Sequence, residues 1–384
     1  SVVAGHAQLS LDECRRLARE NYPEIRQYDL VHQTEQYNLS NAARAWIPQL
    51  AFSAQATWQT DAPNFPKELT GMLAQQGLEI PGLRKDQYKV ALELNQTIWD
   101  GGKSVADKRI ARAEAAEQKT MTDVDLYELE GRVDDLYFGI LLLDERIAQT
   151  NLTLNLLRSN LEKVRALQRN GVAMQSDADV LEAELLSVGQ QLIQFESSCD
   201  SYRRMLGIFI GQKVGDRKLQ HPSAVQPLSG ESARPELAMF AAKIDRLTAQ
   251  EKMVKSSSMP RLGFFAQGYY GYPGLDYMQS MMNNDWSWNA MLGVKLSWNF
   301  GAYYTQKNNL NKLRTSRQQV EVQRDVFLFN MNLQAAQENG DIARLRKAIA
   351  DDDRIVALRR SVREAAESKL RNGIIDTHDL LSKI

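Results

Sequence analysis

The side chains most able to do chemistry in this 384-residue chain are scattered, and none forms a reactive set. The four histidines His6, His32, His221 and His378 lack the spacing of metal ligands. No His-Glu-x-x-His and no phosphate-binding glycine loop of Walker type is present. Met278, Met281 and Met282 resemble a soft-metal cluster, but thioethers at such spacing also serve as adaptable apolar filler. Cys14 and Cys199, the two cysteines, cannot build a disulfide framework and read as buried thiols. Carboxylates such as Asp134, Asp135, Asp144 and Glu145 read as solvated helix faces. No catalytic residue, metal site or cofactor site is expected, and the chain does not read as an enzyme.

Charge and hydropathy narrow the alternatives. Forty-seven basic against 48 acidic residues leave a net charge of −1, without the basic excess of a nucleic-acid binder. Apolar residues at 43% and charged residues at 25% describe an ordered chain. No apolar run reaches the length of a membrane-spanning helix, so a bilayer-spanning role would have to use β-strands. The first residues, Ser1 to Gln8, lack the basic and apolar regions of a signal peptide. Ser1, and Cys14 inside an expected helix, give no support to a lipid anchor.

The strongest internal signal is a duplication. Ile47-Pro48-Gln49-Leu50-Ala51-Phe52-Ser53-Ala54-Gln55 aligns with Met259-Pro260-Arg261-Leu262-Gly263-Phe264-Phe265-Ala266-Gln267, 212 positions later. Pro23-Glu24-Ile25 falls on Pro235-Glu236-Leu237 at the same offset, and Leu92 and Gly101 match Leu292 and Gly301 at 200. Arg169-Asn170-Gly171-Val172 matches Arg371-Asn372-Gly373-Ile374 at 202. Residues 1–212 are therefore expected to form a first structural repeat and 235–384 a second. Residues 213–234, with Pro222 and Pro227, read as a linker without regular structure.

Each repeat is expected to hold the same parts. A short amphipathic helix opens the first, with Ser10 and Glu13 as a capping box and Pro23 as its stop. Strands follow with period two: Leu50, Phe52, Ala54, Ala56 and Trp58 share one face, and Leu92, Leu94 and Ile98 oppose Glu93, Asn95 and Thr97. In the second repeat Leu262, Phe264, Ala266 and Tyr270 share one strand face against Gln267 and Tyr269, and Leu292, Val294, Leu296 and Trp298 oppose Lys295, Ser297 and Asn299. Runs of about ten residues suit tilted transmembrane strands. Long loops, 61–86 and 271–284, separate the strands of each pair.

Then comes long helix. Val133, Leu136, Ile140, Leu143 and Ile147, continued by Leu154, Leu157, Leu161 and Val164, keep coiled-coil spacing. A helix from about Lys103 to Asn170 would be roughly 100 Å long. Asn170-Gly171 and Asn372-Gly373 stop helices in left-handed turns, giving helical hairpins. In the second repeat only 11 residues follow Gly373, so its return helix reads as truncated.

Four strands cannot close a barrel, and an open sheet edge cannot sit in lipid. Either the strands form a small soluble sheet on a coiled-coil scaffold, or several chains pool strands into one barrel. Aromatic placement favours the second. Trp46, Trp58, Trp99, Tyr269, Tyr270, Tyr272, Trp286, Trp288 and Trp298 cluster at strand ends, and of these Trp58, Trp99, Tyr270, Trp286 and Trp298 are taken as membrane-interface aromatics.

The ordered set of parts resembles the TolC family of outer-membrane factors across essentially the whole chain. Local signatures agree: Leu9-Ser10-Leu11 with Asn21-Tyr22-Pro23-Glu24-Ile25, Trp99-Asp100-Gly101-Gly102, and the tips Gly171-Val172 and Gly373-Ile374. The resemblance implies an α+β membrane protein in the bacterial outer membrane with a large periplasmic part. It implies a homotrimer with a shared 12-stranded barrel, four strands per chain, continued by a helical coiled-coil tunnel. It implies a passive exit duct, for small molecules such as drugs or toxic compounds or for proteins in type I secretion. The implied partners are outer-membrane lipid, an inner-membrane pump and a periplasmic adaptor that engages the hairpin tips Asn170, Gly171, Val172, Asn372, Gly373 and Ile374; no nucleic acid is involved.

In family members, aspartates past the second tip glycine ring the closed entrance and favour cations. Asp379 matches the first of these positions, while the second is Ser382. Asp177 matches an aspartate that pairs with an arginine in the family, but the arginine position is Ile375. Asp376 and His378 are nearby candidates for the periplasmic gate. Helix capping is the competing role for both Asp177 and Asp379.

Overall fold

A computed structural model describes residues 8–77, 80–222 and 234–371. The chain divides into two compact units at residues 316 and 317.

The first unit begins with α1 (Leu11–Asn21). The Ser10 hydroxyl accepts the Glu13 amide at 3.2 Å, and the extended backbone of Tyr22 before Pro23 ends the helix. A short 3₁₀ turn, Pro23–Arg26, leads into α2 (Gln27–Arg44). The hydropathy pattern did not announce α2: none of its residues is buried, so it carries no strong apolar stripe. The absence of Pro and Gly between Pro23 and Pro48 was the available signal.

Strands β1 (Gln49–Trp58) and β2 (Asp86–Trp99) follow, with α3 (Lys67–Gln75) in the expected loop between them. Next come α4 (Lys103–Arg169), α5 (Gln175–Ile210) and α6 (Pro235–Ser256). Strands β3 (Arg261–Tyr272) and β4 (Ser287–Ser297) flank α7 (Tyr277–Asn283), and α8 (Gly301–Arg371) begins in this unit. The four strands form one antiparallel sheet in the order β1-β2-β3-β4. Strands β1 and β2 lie in the expected first repeat, β3 and β4 in the expected second, and the β2–β3 ladder joins them.

The expected seam of α4 is a buried line. Val133, Ile140, Leu154 and Leu161 are buried, and Leu136, Leu143, Ile147, Leu157 and Val164 are half-buried. A core gathers Cys14 and Ala18 of α1, Leu126, Leu129, Val133, Tyr137 and Ile140 of α4, and Cys199, Leu206 and Ile210 of α5. Burial pushes the Cys14 thiol and the Tyr137 phenol up to about 12, so both are neutral at physiological pH and Tyr137 keeps its donor. That hydroxyl lies 2.8 Å from the Leu9 carbonyl and 2.6 Å from the Gln220 carbonyl.

Those two residues belong to a tie between the start of the chain and the far side of α5. Leu9 bridges Leu219 in parallel, with its amide donating to Lys218 and its carbonyl accepting from Gln220. Val214 and Leu219 are buried in the same core, and Arg203 donates to the carbonyls of Gly215 and Arg217. Residues 213–222 of the expected irregular linker are thus fastened down by hydrogen bonds and burial; residues 223–233 lie outside the described residues.

Two carboxylates expected to be solvated are tied instead. Asp134 takes a two-pronged contact from Arg15 of α1 at 2.7 and 2.5 Å. Asp144 receives Arg203 of α5 at 2.7 Å and lies 3.3 Å from the Cys199 sulfur. Burial is the largest cause raising the Cys199 thiol above its ordinary value. Asn21, one of the signature residues, donates to the carbonyls of Ile208 and Phe209 and so satisfies the exposed end of α5 from a neighbouring helix.

The second unit is the C-terminal part of α8. It carries Val322, Val326, Phe329 and Leu333 at 4-3-4 spacing, each more than half exposed, the same kind of stripe that α4 buries against α5.

Candidate channel surfaces

The strand register sorts the sheet into two chemically distinct faces. Leu50 stands opposite Leu94, Leu94 opposite Ala266, and Ala266 opposite Leu292. The next rows on that face are Phe52-Leu92-Gly268-Ala290 and Ala54-Val90-Tyr270-Trp288. These rows are apolar and open: Phe52 is 72%, Trp288 82% and Leu292 76% exposed. Such a surface is far larger than the scattered apolar residues normal on a protein's exterior.

The opposite face carries the polar alternates in rows Ala51-Glu93-Gln267-Met291 and Ser53-Ala91-Tyr269-Asn289. Lys89 donates to the Gln267 amide oxygen at 3.0 Å, and the Gln267 amide nitrogen donates to Glu93. The Lys89 ammonium also sits 4.5 Å over the Tyr269 ring. Among the described residues nothing pairs with the outer edge of β1 or of β4.

Aromatic side chains mark both ends of the apolar face. At the loop end Trp286 stacks on Tyr88 at 5.6 Å and lies 5.3 Å from Tyr270, which in turn lies 5.0 Å from Trp288; Trp58 stands free at 71% exposure. At the helix end Trp99 and Trp298 are exposed, and Trp298 packs at 4.8 Å on Phe300 while its indole N–H donates to the Ser258 carbonyl. Of the other strand-end aromatics, one takes the face that its alternation with Tyr270 predicts and one is placed elsewhere. Tyr269 belongs to the polar face, and Tyr272 is buried, with its hydroxyl accepting the Arg84 amide and donating to Asn284. Strand parity separates Tyr269 from Tyr270, and loop packing claims Tyr272.

Where β2 becomes α4, Asp100 organises the turn. Its carboxylate accepts the Gly102 amide at 2.9 Å, the Ser104 amide at 2.6 Å and the Ser104 hydroxyl. Burial alone would raise this carboxyl, but the donors from Ser104, Gly102 and Lys103 outweigh it and hold it below its ordinary value. Gly101 and Gly102 both adopt positive φ, and a Cβ on Gly101 would meet Met259 at 2.7 Å. The Trp-Asp-Gly-Gly signature therefore has a mechanical reading: it redirects the chain from strand to helix.

At the other end of α4, Gly171 takes φ +72°, its amide donates to Gln168 and that of Val172 to Leu167. This is a Schellman cap. Val172 and Met174 project from the turn, each 73% exposed. Asp177 accepts the Met174 amide at 2.9 Å at the start of α5, a capping contact. Asn372, Gly373, Ile374, Asp376, His378 and Asp379 lie outside the described residues.

Sequence reasoning missed the pairing of Lys89 and Glu93 through Gln267, because the contact joins two strands 174 and 178 positions apart. It placed Lys295 on the polar face but did not bring it together with Arg261, whose adjacency depends on the β3–β4 register. Met278 and Met282 sit exposed on α7, and no group of three or more His, Cys, Asp or Glu side chains that could hold a metal ion occurs among the described residues.

The arrangement, an exposed two-faced sheet continued by long helices, suits a membrane channel component. The sequence model of the family described as outer membrane efflux protein matches residues 15–211, just over half of the chain, and the protein belongs to that family. It is a transport protein of the outer membrane. Its fold is that of solved outer-membrane channels. The outer membrane protein VceC of Vibrio cholerae shares 14% identity at a TM-score of 0.70, with 97% of this chain and 88% of that one covered. The CmeC outer membrane channel of Campylobacter jejuni shares 15% at 0.64, with 97% and 79% covered. The open state of the MtrE outer membrane channel of Neisseria gonorrhoeae shares 15% at 0.63, with 97% and 82% covered. No curated protein sequence matches the chain significantly.

Proposed function

We propose that three copies of this chain pool their strands into a closed 12-stranded barrel, and that the barrel with its helical continuation is the passive exit duct of a tripartite efflux system. The observation that carries this reading is the open apolar face of the sheet. Ten strand residues at about 3.4 Å each, tilted by about 40°, cover a height of about 26 Å, close to the apolar band of about 25 Å in outer-membrane barrels. Aromatics at both ends of that face suit the two interfaces. Two unpaired strand edges in lipid would leave amides without partners, and closure with neighbouring copies removes them. A soluble scaffold has no use for such a face.

In this reading the polar face lines the lumen, residues 1–212 and 235–384 act as two structural repeats, and the helices reach into the periplasm. The exposed turn at Asn170, Gly171 and Val172 and its counterpart at Asn372, Gly373 and Ile374 offer the surface for a periplasmic adaptor that couples the duct to an inner-membrane pump. Asp177, Asp376, His378 and Asp379 form the gate region. Small molecules are the cargo this reading assigns.

Purified protein added to a planar lipid bilayer should insert and give stepwise, ohmic conductance. Protein that binds the bilayer yet passes no current would contradict the duct.

A further inference from the structure

We propose that the polar face of the sheet holds a binding subsite for amphipathic organic anions, a small aromatic or aliphatic body bearing a sulfonate, carboxylate or phosphate, at its helix end. The inference deepens the duct reading and rests on it, because it names a solute class that the lumen would favour.

A cavity of about 530 Å³ opens on this face, lined by residues of all four strands and the start of α4. Arg261 pairs with Ser297 and Gly263 with Lys295 in the β3–β4 ladder. Arg261 and Lys295 are therefore diagonal neighbours on one face, within reach of a shared ligand of a few heavy atoms. Both are exposed, and neither has an ion-pair or hydrogen-bond partner among the described residues. Two like charges so placed repel unless an anion joins them.

The carboxylates of the same cavity are already occupied. Glu93 accepts Gln267, Asp100 is saturated by the Ser104 and Gly102 donors, and Asp107 holds Lys103 at 2.7 Å. Three carboxylates and three cations leave the charged groups of the cavity balanced, but the two without a partner among the described residues, Arg261 and Lys295, are both cationic. Beside the two cations, in the rows toward mid-sheet, the floor is largely apolar. The Phe265 ring lies over Gly293, where a Cβ would come within 2.9 Å of it, and Met291 lines the wall. Glycine at 293 makes room for the ring, and glycine at 263 places no side chain between Arg261 and Phe265. Arg261 offers a planar fork to an oxyanion and Lys295 a point charge, while Phe265 and Met291 supply contact for the body.

The test is block of the reconstituted channel by naphthalene-2-sulfonate, compared with a naphthyl-trimethylammonium of similar size. The sulfonate should reduce single-channel current at a concentration at least tenfold lower than the ammonium. Arg261→Gln combined with Lys295→Gln should erase that difference while leaving the channel conducting. Equal block of the wild-type channel by both probes, or a preference that survives in the double variant, overturns the subsite and leaves the duct intact. Absence of any wild-type conductance overturns the duct and the subsite together.

Discussion

Leu292→Arg should remove the protein from the outer membrane, whereas Met291→Arg, one residue away on the same strand, should leave it there. Leu292 sits mid-strand in the row Leu50-Leu94-Ala266-Leu292 and is 76% exposed on the apolar face. An arginine facing lipid near the bilayer midplane costs about 2–4 kcal/mol. Three copies in one barrel would bear it three times, roughly 6–12 kcal/mol, comparable with the whole stability of an ordinary domain. Met291 points to the other face, in the row that holds Glu93 and Gln267, where a new guanidinium meets water and a carboxylate. Outer-membrane fractions quantified by immunoblot should show at least a tenfold drop for the first variant and little change for the second. Equal levels for the two would mean that the strand faces have been assigned to the wrong surroundings.

The second large effect is expected at Tyr137, which is completely buried at the junction of α1, α4 and α5. Tyr137→Ala removes an aromatic ring from a packed core, worth about 3–5 kcal/mol. It also leaves the Leu9 and Gln220 carbonyls without the hydroxyl between them. Tyr137→Phe keeps the ring and loses only that hydroxyl, for about 1–2 kcal/mol. Denaturant midpoints in detergent should therefore fall in the order wild type, Phe, Ala. An alanine variant as stable as the phenylalanine one would show that the ring does not hold the junction.

Much of this organisation can be read from the sequence where it rests on local rules. Period-two alternation placed the strand faces, because side chains of a strand point to opposite sides whatever their neighbours. The 3-4 spacing from Val133 to Val164 located the buried line of α4, and Asn170-Gly171 located its end, since glycine alone accepts the φ of +72° found there without strain. Helices α2, α3 and α7 escaped because short or weakly amphipathic helices lack a strong periodic signal. What the sequence hid most completely are contacts between distant segments: Arg15 with Asp134, Arg203 with Asp144, and the Leu9–Leu219 bridge under Tyr137. Single-residue patterns carry no record of partners 59 to 119 positions away or farther. Asp134 and Asp144 consequently looked like ordinary solvated carboxylates. The polar-face cations Arg261 and Lys295 were visible as residues, but their adjacency depends on a register fixed by the folded sheet.

The same limit explains the aromatics. Trp58, Trp99, Trp286 and Trp298 sit at strand ends in sequence and lie on the surface, whereas Tyr272 has the same position and is buried, its hydroxyl tied to Arg84 of the β1–β2 loop and to Asn284 of its own. Strand position alone cannot distinguish a ring that meets lipid from one that closes a loop.

The central claim is that a sheet with two unpaired edges and an open apolar face is one third of a closed barrel. The most direct measurement is the protein mass of the detergent-solubilised particle by light scattering with the detergent contribution subtracted. The account predicts three copies per particle, collapsing to aggregate when detergent is removed. A monodisperse monomer that stays in solution without detergent would contradict it.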